Sequence, residues 1–185
     1  MAVLTTDILY KFSVAAAAGN TTAGTPAGSI GDQISTTQLT DNSLNNLFDD
    51  VTGDENAASA VVDYRCIFVH NAHATLPWQN VVAWINADVA NGVDVAIGID
   101  PAAASAIGSG SAQAATPANE TTAPSGVTFT NYASGSAVDI KSRGLSVGTI
   151  AAGSCRAIWI RRTSANRAAL NNDGTTIRCE GDTAA

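Results

Sequence analysis

The stretch 61-VVDYRCIFVHN-71 contains no Gly or Pro and is rich in β-branched and aromatic residues, a composition suited to a pleated, packed strand. Successive side chains of a strand point to opposite faces. Val62, Tyr64, Cys66 and Phe68 therefore share one face, and Asp63, Arg65, Ile67 and Val69 share the other. A strand bordering water on one side alternates apolar and polar residues. This one is apolar on both faces in its second half, so both faces require a cover. The stretch 155-CRAIWIRR-162 is its counterpart: Arg156, Ile158, Ile160 and Arg162 face one way, and Cys155, Ala157, Trp159 and Arg161 the other.

Outward from these two, strands are expected at 81-VVAWIN-86, 93-VDVAIGI-99, 127-VTFTNY-132, 137-AVDI-140 and 175-TTIRCE-180, with turns at Asn91-Gly92, at Ala151-Ala152-Gly153 and from Asn171 to Gly174. About seven short strands joined by turn residues indicate an all-β chain folded as an antiparallel β-sandwich, Ig-like or jelly-roll-like. A chain of 185 residues suits one core better than two. The domain is expected over 32–185. Residues 1–31 read as an N-terminal arm, with an apolar segment up to Ser13 followed by an Ala/Gly/Thr/Pro tether; an edge strand with a long loop is the alternative. Leu44, Leu47, Phe48 and Val51 fall at helical spacing, with Asp41, Asn42 or Ser43 as N-cap and Gly53 as stop, which predicts a short helix plugging one end of the core. The Ala/Ser/Gly/Thr-rich loop 100–126 is long for a compact domain. Asp100 and Pro101 open a single helical turn there, and the remainder is expected to lie extended against a neighbouring molecule or to form a flap.

Composition excludes several functions. Charged residues make up 14% of the chain, against about 25% in an average domain. The net charge of −7 and the absence of a basic stripe argue against nucleic acid as partner. No stretch approaches the roughly 18 apolar residues of a membrane span. Asp7 ahead of Lys11 makes a poor signal peptide, so a soluble protein made in the cytoplasm is expected.

Catalytic, cofactor and metal motifs are missing. His70 and His73 are two imidazoles without a third ligand, and there is no HExxH, Walker A loop, GxGxxG or GxSxG. The three glutamates, Glu55, Glu120 and Glu180, lie in or beside segments that read as exposed, where a raised pKa is hard to arrange. Asp49, Asp50, Asp54 and Glu55 lack the alternating spacing of a calcium loop. No enzyme activity is expected. Cys66, Cys155 and Cys179 have no CxxC spacing; they read as buried thiols, with a disulfide between strands or between subunits as the alternative. Trp84 and Trp159 are mid-strand core residues. Trp78, after Pro77, is either a lid on the sandwich or an interface anchor, and with Tyr132 it would make a carbohydrate-stacking platform. Of Arg161 and Arg162, on opposite faces, one is expected to serve an internal carboxylate. Arg156 and Arg162 are, with Trp78, the candidate interface residues, the plain alternative being a solvated strand end.

Three segments, NNLFDDVTGDENAASAVVDYRCIFVHNAHATL, TTAPSGVTFTNY and CRAIWIRR followed by NNDGTTIRCEGD, together resemble small structural proteins of tailed-bacteriophage virions. The resemblance covers roughly Ser29 to Asp182 and is one of strand cores and turns. It implies a β-sandwich subunit located in the virion, without catalytic residues. It fits best a capsid decoration, or cement, protein that binds the major capsid protein or another virion protein in many copies and forms a homo-oligomer in the particle. Neck, tail and fibre proteins use similar sandwiches.

Overall fold

Residues Val61–Asn71 and Ser154–Ser164 form one antiparallel ladder of eleven consecutive pairs, from Val61 opposite Ser164 to Asn71 opposite Ser154. The computed structural model describes residues 2–15, 19–89, 92–132, 138–168, 170 and 173–183. Among them the strands are β1 (Ile8–Val14), β2 (Gln33–Gln38), β3 (Val61–Asn71), β4 (Trp78–Asp88), β5 (Asp94–Ile99), β6 (Ser105–Ala106), β7 (Thr130–Asn131), β8 (Leu145–Ile150), β9 (Ser154–Ser164) and β10 (Thr175–Thr183). The larger sheet has the order β2-β1-β3-β9-β5-β7, with β6 pairing with β9; the smaller has the order β10-β4-β8. The fold is an antiparallel β-sandwich.

The two faces of β3 and β9 have different covers. Ile67, Val69, Ile158 and Ile160, with Phe12, Val95 and Ile97, meet Trp78, Val81, Ala83, Ile85, Val147 and Ile150 across the sandwich. Each such side chain contributes roughly 1.5–3 kcal/mol when fully buried. Cys66, Phe68, Cys155, Ala157 and Trp159 point away from the smaller sheet, and Ile34 and Ala114 close over them, with Ile107, Ala115, Val127 and Phe129 packed alongside. The cover of the second face is therefore the chain's own long loops.

The expected N-terminal arm is instead part of the sheet. β1 lies between β2 and β3, with Leu9 opposite His70 and Lys11 opposite Phe68. Where β1 leaves β3 after Phe12, the neighbouring loops take over the ladder: Cys66 N donates to Ser29 O at 2.7 Å and Tyr64 N to Glu120 O at 2.7 Å. Backbone groups of a buried strand need partners wherever the next strand ends, and loops 19–32 and 100–129 supply them. The domain thus begins before residue 32.

The predicted helix at 44–51 is a series of turns. Asn42 and Asn45 have φ of 56° and 54°, a left-handed conformation that ends helical hydrogen bonding. Leu44 is exposed, while Leu47 is buried and Phe48 packs against the core, so the segment does plug the sandwich. Asp100 and Pro101 start no helix; the Asp100 carboxylate instead accepts from Ala102 N at 2.8 Å. Of the stretch Val127–Tyr132 only Thr130–Asn131 joins the ladder, and Val138–Ile140 is turn and bend. Ala137, Asn91, Asn171 and Asn172, on which a strand start and two turns were expected, lie outside the described residues.

Candidate functional site

Among the described residues, three buried polar constellations bear on a candidate site. The first occupies the end of the sandwich where β3 and β9 are charged. Asp63 stands opposite Arg162 in the ladder, and Arg162 Nη2 and Nε lie 2.6 and 3.1 Å from Asp63 Oδ2. Both side chains are buried. Two residues along, Arg65 is 1% exposed and pairs with the Glu120 carboxylate from the long loop, while its Nε donates to Leu47 O at 3.1 Å. The Phe48 ring lies beneath both guanidiniums, 4.7 Å from that of Arg162 and 5.5 Å from that of Arg65, within cation–π range. Charges removed from water need every donor matched. Here the plug segment and the long loop supply those acceptors, so the cluster fastens two loops to the sheet end.

The second constellation lies on the loop-covered face, where His70 stands opposite Cys155 in the β3–β9 ladder and Lys11 reaches in from β1. His70 is buried with neither ring nitrogen hydrogen-bonded, and Lys11 is 8% exposed. Gln113 Nε2 donates to Cys155 Sγ at 3.2 Å and to Ser105 Oγ at 2.8 Å, and its Oε1 accepts from Ile34 N at 3.1 Å. A thiol facing an imidazole is the raw material of a nucleophile, which requires a lowered thiol pKa and a readily protonated histidine. Both groups move the opposite way. Burial pushes Cys155 up to about 12, and burial, then the Lys11 charge, push His70 down to about 4. The pair is neutral at pH 7 and packs as core.

The third centres on Asp100. Its Oδ2 accepts from Trp159 Nε1 at 2.8 Å and from Ala115 N at 2.9 Å. Outside it, Pro101, Ala102, Ala115, Pro117 and Thr122 line a shallow groove of about 570 Å³. With both Asp100 oxygens engaged, that wall offers mainly methyl and backbone groups. Among the described residues no group of three His, Cys, Asp or Glu side chains could hold a metal ion, and no helix is long and apolar enough to cross a membrane.

Each residue singled out from the sequence has a definite place. Trp78 begins β4 and is buried, opposite Ile150 and tight against Gly181, where an added Cβ would lie 2.9 Å from the Trp78 indole nitrogen. It is neither in a loop nor exposed, so it provides no stacking platform. Arg162 is the arginine serving an internal carboxylate, Asp63, and is no longer available for an interface. Arg161 stacks on Phe129, 5.5 Å from its centroid. Arg156 donates to Asp100 O at 3.0 Å within its own chain. Cys66, Cys155 and Cys179 are free thiols; burial raises the pKa of each, that of Cys179 to about 12. His73 Nδ1 accepts from Thr75 N and Leu76 N at 3.1 and 2.9 Å, unlike His70. Lys11, Phe48, Asp100 and Gln113 were not recognisable as site residues, because partners such as Trp159 for Asp100, 59 positions on, and Ile34 for Gln113, 79 positions back, are distant in sequence; a charged residue within an apolar run at Lys11 was the one signal. Comparison with protein-family models, with curated proteins and with solved structures finds no match.

Proposed function

We propose that this chain is a structural subunit of a tailed-bacteriophage particle, a decoration protein bound to the outer capsid surface. The observation that carries the reading is the use of the low-complexity loops. Segments 19–32 and 100–129 close over the outer face of the larger sheet, and the internal arginines, histidine and thiols are turned inward with them. The resulting block has a large rigid body and a surface made chiefly of Ala, Ser, Thr and Gly, suited to repeated packing on neighbours. The resemblance in strand cores to virion sandwiches supports the same assignment. On this reading the partner is the major capsid protein or another virion protein.

The test is the composition of purified particles. A decoration protein is present in stoichiometric copies, and cryo-electron microscopy places it on the head lattice. Trace amounts in purified particles would sink the proposal; stoichiometric copies found only in neck, tail or fibre would keep the structural role and overturn the decoration assignment.

A further inference from the structure

The loop-covered face of the larger sheet holds a charge that nothing answers. Lys11, on β1, is 8% exposed, and among the described residues its ammonium group makes no hydrogen bond and no ion pair; the groups it couples to are His70 and the Cys155 thiol. A lysine is almost never buried this deeply without a partner, because an ammonium group taken out of water needs an opposite charge or acceptors to offset its lost hydration. His70 is 4% exposed, and both of its ring nitrogens lack a partner. Two nitrogen-bearing side chains, each more than nine-tenths buried, are therefore left unmatched on one face.

Register makes them neighbours. Lys11 stands opposite Phe68, and His70 follows Phe68 by two positions on the same face. They form a diagonal pair, roughly 7–8 Å apart at the backbone and within reach of a long side chain. The polar groups beside them are already engaged. Gln113 Nε2 donates to Ser105 Oγ, Ala106 O and Cys155 Sγ, and its Oε1 accepts from Ile34 N. Neither β2 nor the covering loop 105–115 contains a titratable residue, and segment 19–32 contains one, Asp32. Asp100, at the start of the long loop, is held by Trp159 and Ala115. Neither of these acids acts on the charge of Lys11 or His70.

We propose that Lys11 and His70 together form a binding site for a small free monocarboxylate of the size of formate. One carboxylate oxygen accepts from the Lys11 ammonium and the other from a ring N–H of His70. Both bonds are charge-assisted, which makes them stronger than bonds between neutral groups. A monoanion matches the single charge of Lys11, whereas a phosphate dianion would bring a second charge and further acceptors to a cluster whose Gln113 amide is already engaged. Entry is past Lys11, since His70, Gln113 and Cys155 are closed off at 4%, 4% and 1% exposure. The carboxylate also offsets the Lys11 charge that disfavours the imidazolium. Carboxylate binding and proton uptake by His70 therefore favour each other, and the coupling is reciprocal. The inference is independent of the virion reading.

An NMR titration of the full chain with sodium formate, chloride holding the ionic strength constant, tests it. Formate is expected to move the His70 titration midpoint upward, and its dissociation constant is about tenfold lower at pH 5 than at pH 7. Lys11→Met keeps an unbranched apolar stem and removes the charge, and is expected to weaken formate binding at pH 5 about tenfold or more. Circular dichroism confirms that this variant is folded. His70→Gln, a second variant, retains an N–H donor and is expected to make formate binding independent of pH over the same range. N-acetylglutamic acid amide, standing for an acidic side chain of another protein, is expected to bind at least about tenfold more weakly than formate, because the cover leaves so little of Lys11 open. A His70 midpoint unmoved by formate overturns the inference, as does a Lys11→Met variant that binds formate like the wild type. Inorganic phosphate or the glutamate amide binding more tightly than formate overturns the assignment of a free monocarboxylate.

Discussion

Asp63 and Arg162 face each other in the β3–β9 ladder and close a 2.6 Å ion pair inside the charged end of the sandwich. The pair belongs to a cluster in which Phe48 stacks under Arg162 and Arg65, and Glu120 anchors the long loop on Arg65. Loops distant in sequence are thereby held by two guanidiniums on adjacent strands.

Removing one member of that pair leaves a buried charge without its counter-ion. Asp63→Ala and Arg162→Ala are each expected to cost about 3–5 kcal/mol, whereas Asp63→Leu combined with Arg162→Met costs less than either. Urea denaturation midpoints at pH 7 measure this. Single variants within about 1 kcal/mol of wild type would show that the cluster does not hold the end of the sandwich.

His70 gives the fold an acid sensitivity. Its pKa drops from an ordinary 6.5 to about 4 because burial disfavours the imidazolium and Lys11 adds a positive charge; Cys155, facing it from β9, is neutral there. Between those two values the unfolded chain binds the proton and the folded chain does not, so stability falls as pH is lowered through that window, by up to roughly 3 kcal/mol. His70→Leu is expected to flatten this component of the pH dependence. A wild-type profile matching that of the variant from pH 7 to 4 would refute the assignment.

Asp100 ties the long loop to the sheet through Trp159 Nε1, Ala102 N and Ala115 N. Asp100→Ala leaves three donors without their charged acceptor. The expected result is fast amide exchange at Ala102 and Ala115 with protection retained in β3 and β9, together with a red-shifted tryptophan emission as Trp159 gains water. Unchanged exchange at those two amides would show that the loop is held by other contacts.

Truncation tests the position of β1. Deleting residues 1–31 removes a strand between β2 and β3 and the Ser29 contacts to Cys66, exposing the long edge of β3. Loss of the cooperative unfolding transition and aggregation are expected. A soluble 32–185 fragment with the wild-type circular dichroism spectrum would show instead that the segment is a dispensable arm.

The strands most legible in the sequence were those with dense β-branched and aromatic runs, β3, β5 and β9, and the turn at Ala151 to Gly153. β2, read from Gln33-Ile-Ser-Thr-Thr-Gln38, escaped because its residues carry little apolar pattern; it is held by β1 on one side and Asn20 and Thr21 on the other. Helical spacing at Leu44 to Val51 misled because the backbone of Asn42 and Asn45 turns left-handed, and two buried apolar residues suffice for a plug of any conformation. Of the candidate interface residues, Arg162 was visible as a charge on an apolar face, but its partner Asp63 lies 99 positions away.

What the sequence determined by itself is that β3 and β9 are strands with two apolar faces, since alternation is a local property of a pleated chain and both faces could be counted residue by residue. What covers those faces was decided only by tertiary structure. Segments 19–32 and 100–129 have too few large apolar residues to order themselves. They order because β3 and β9 offer Phe68 and Trp159 to bury and unpaired backbone groups to satisfy, through bonds such as Cys66 N to Ser29 O and Trp159 Nε1 to Asp100. Those partners become neighbours only once the sheet has formed.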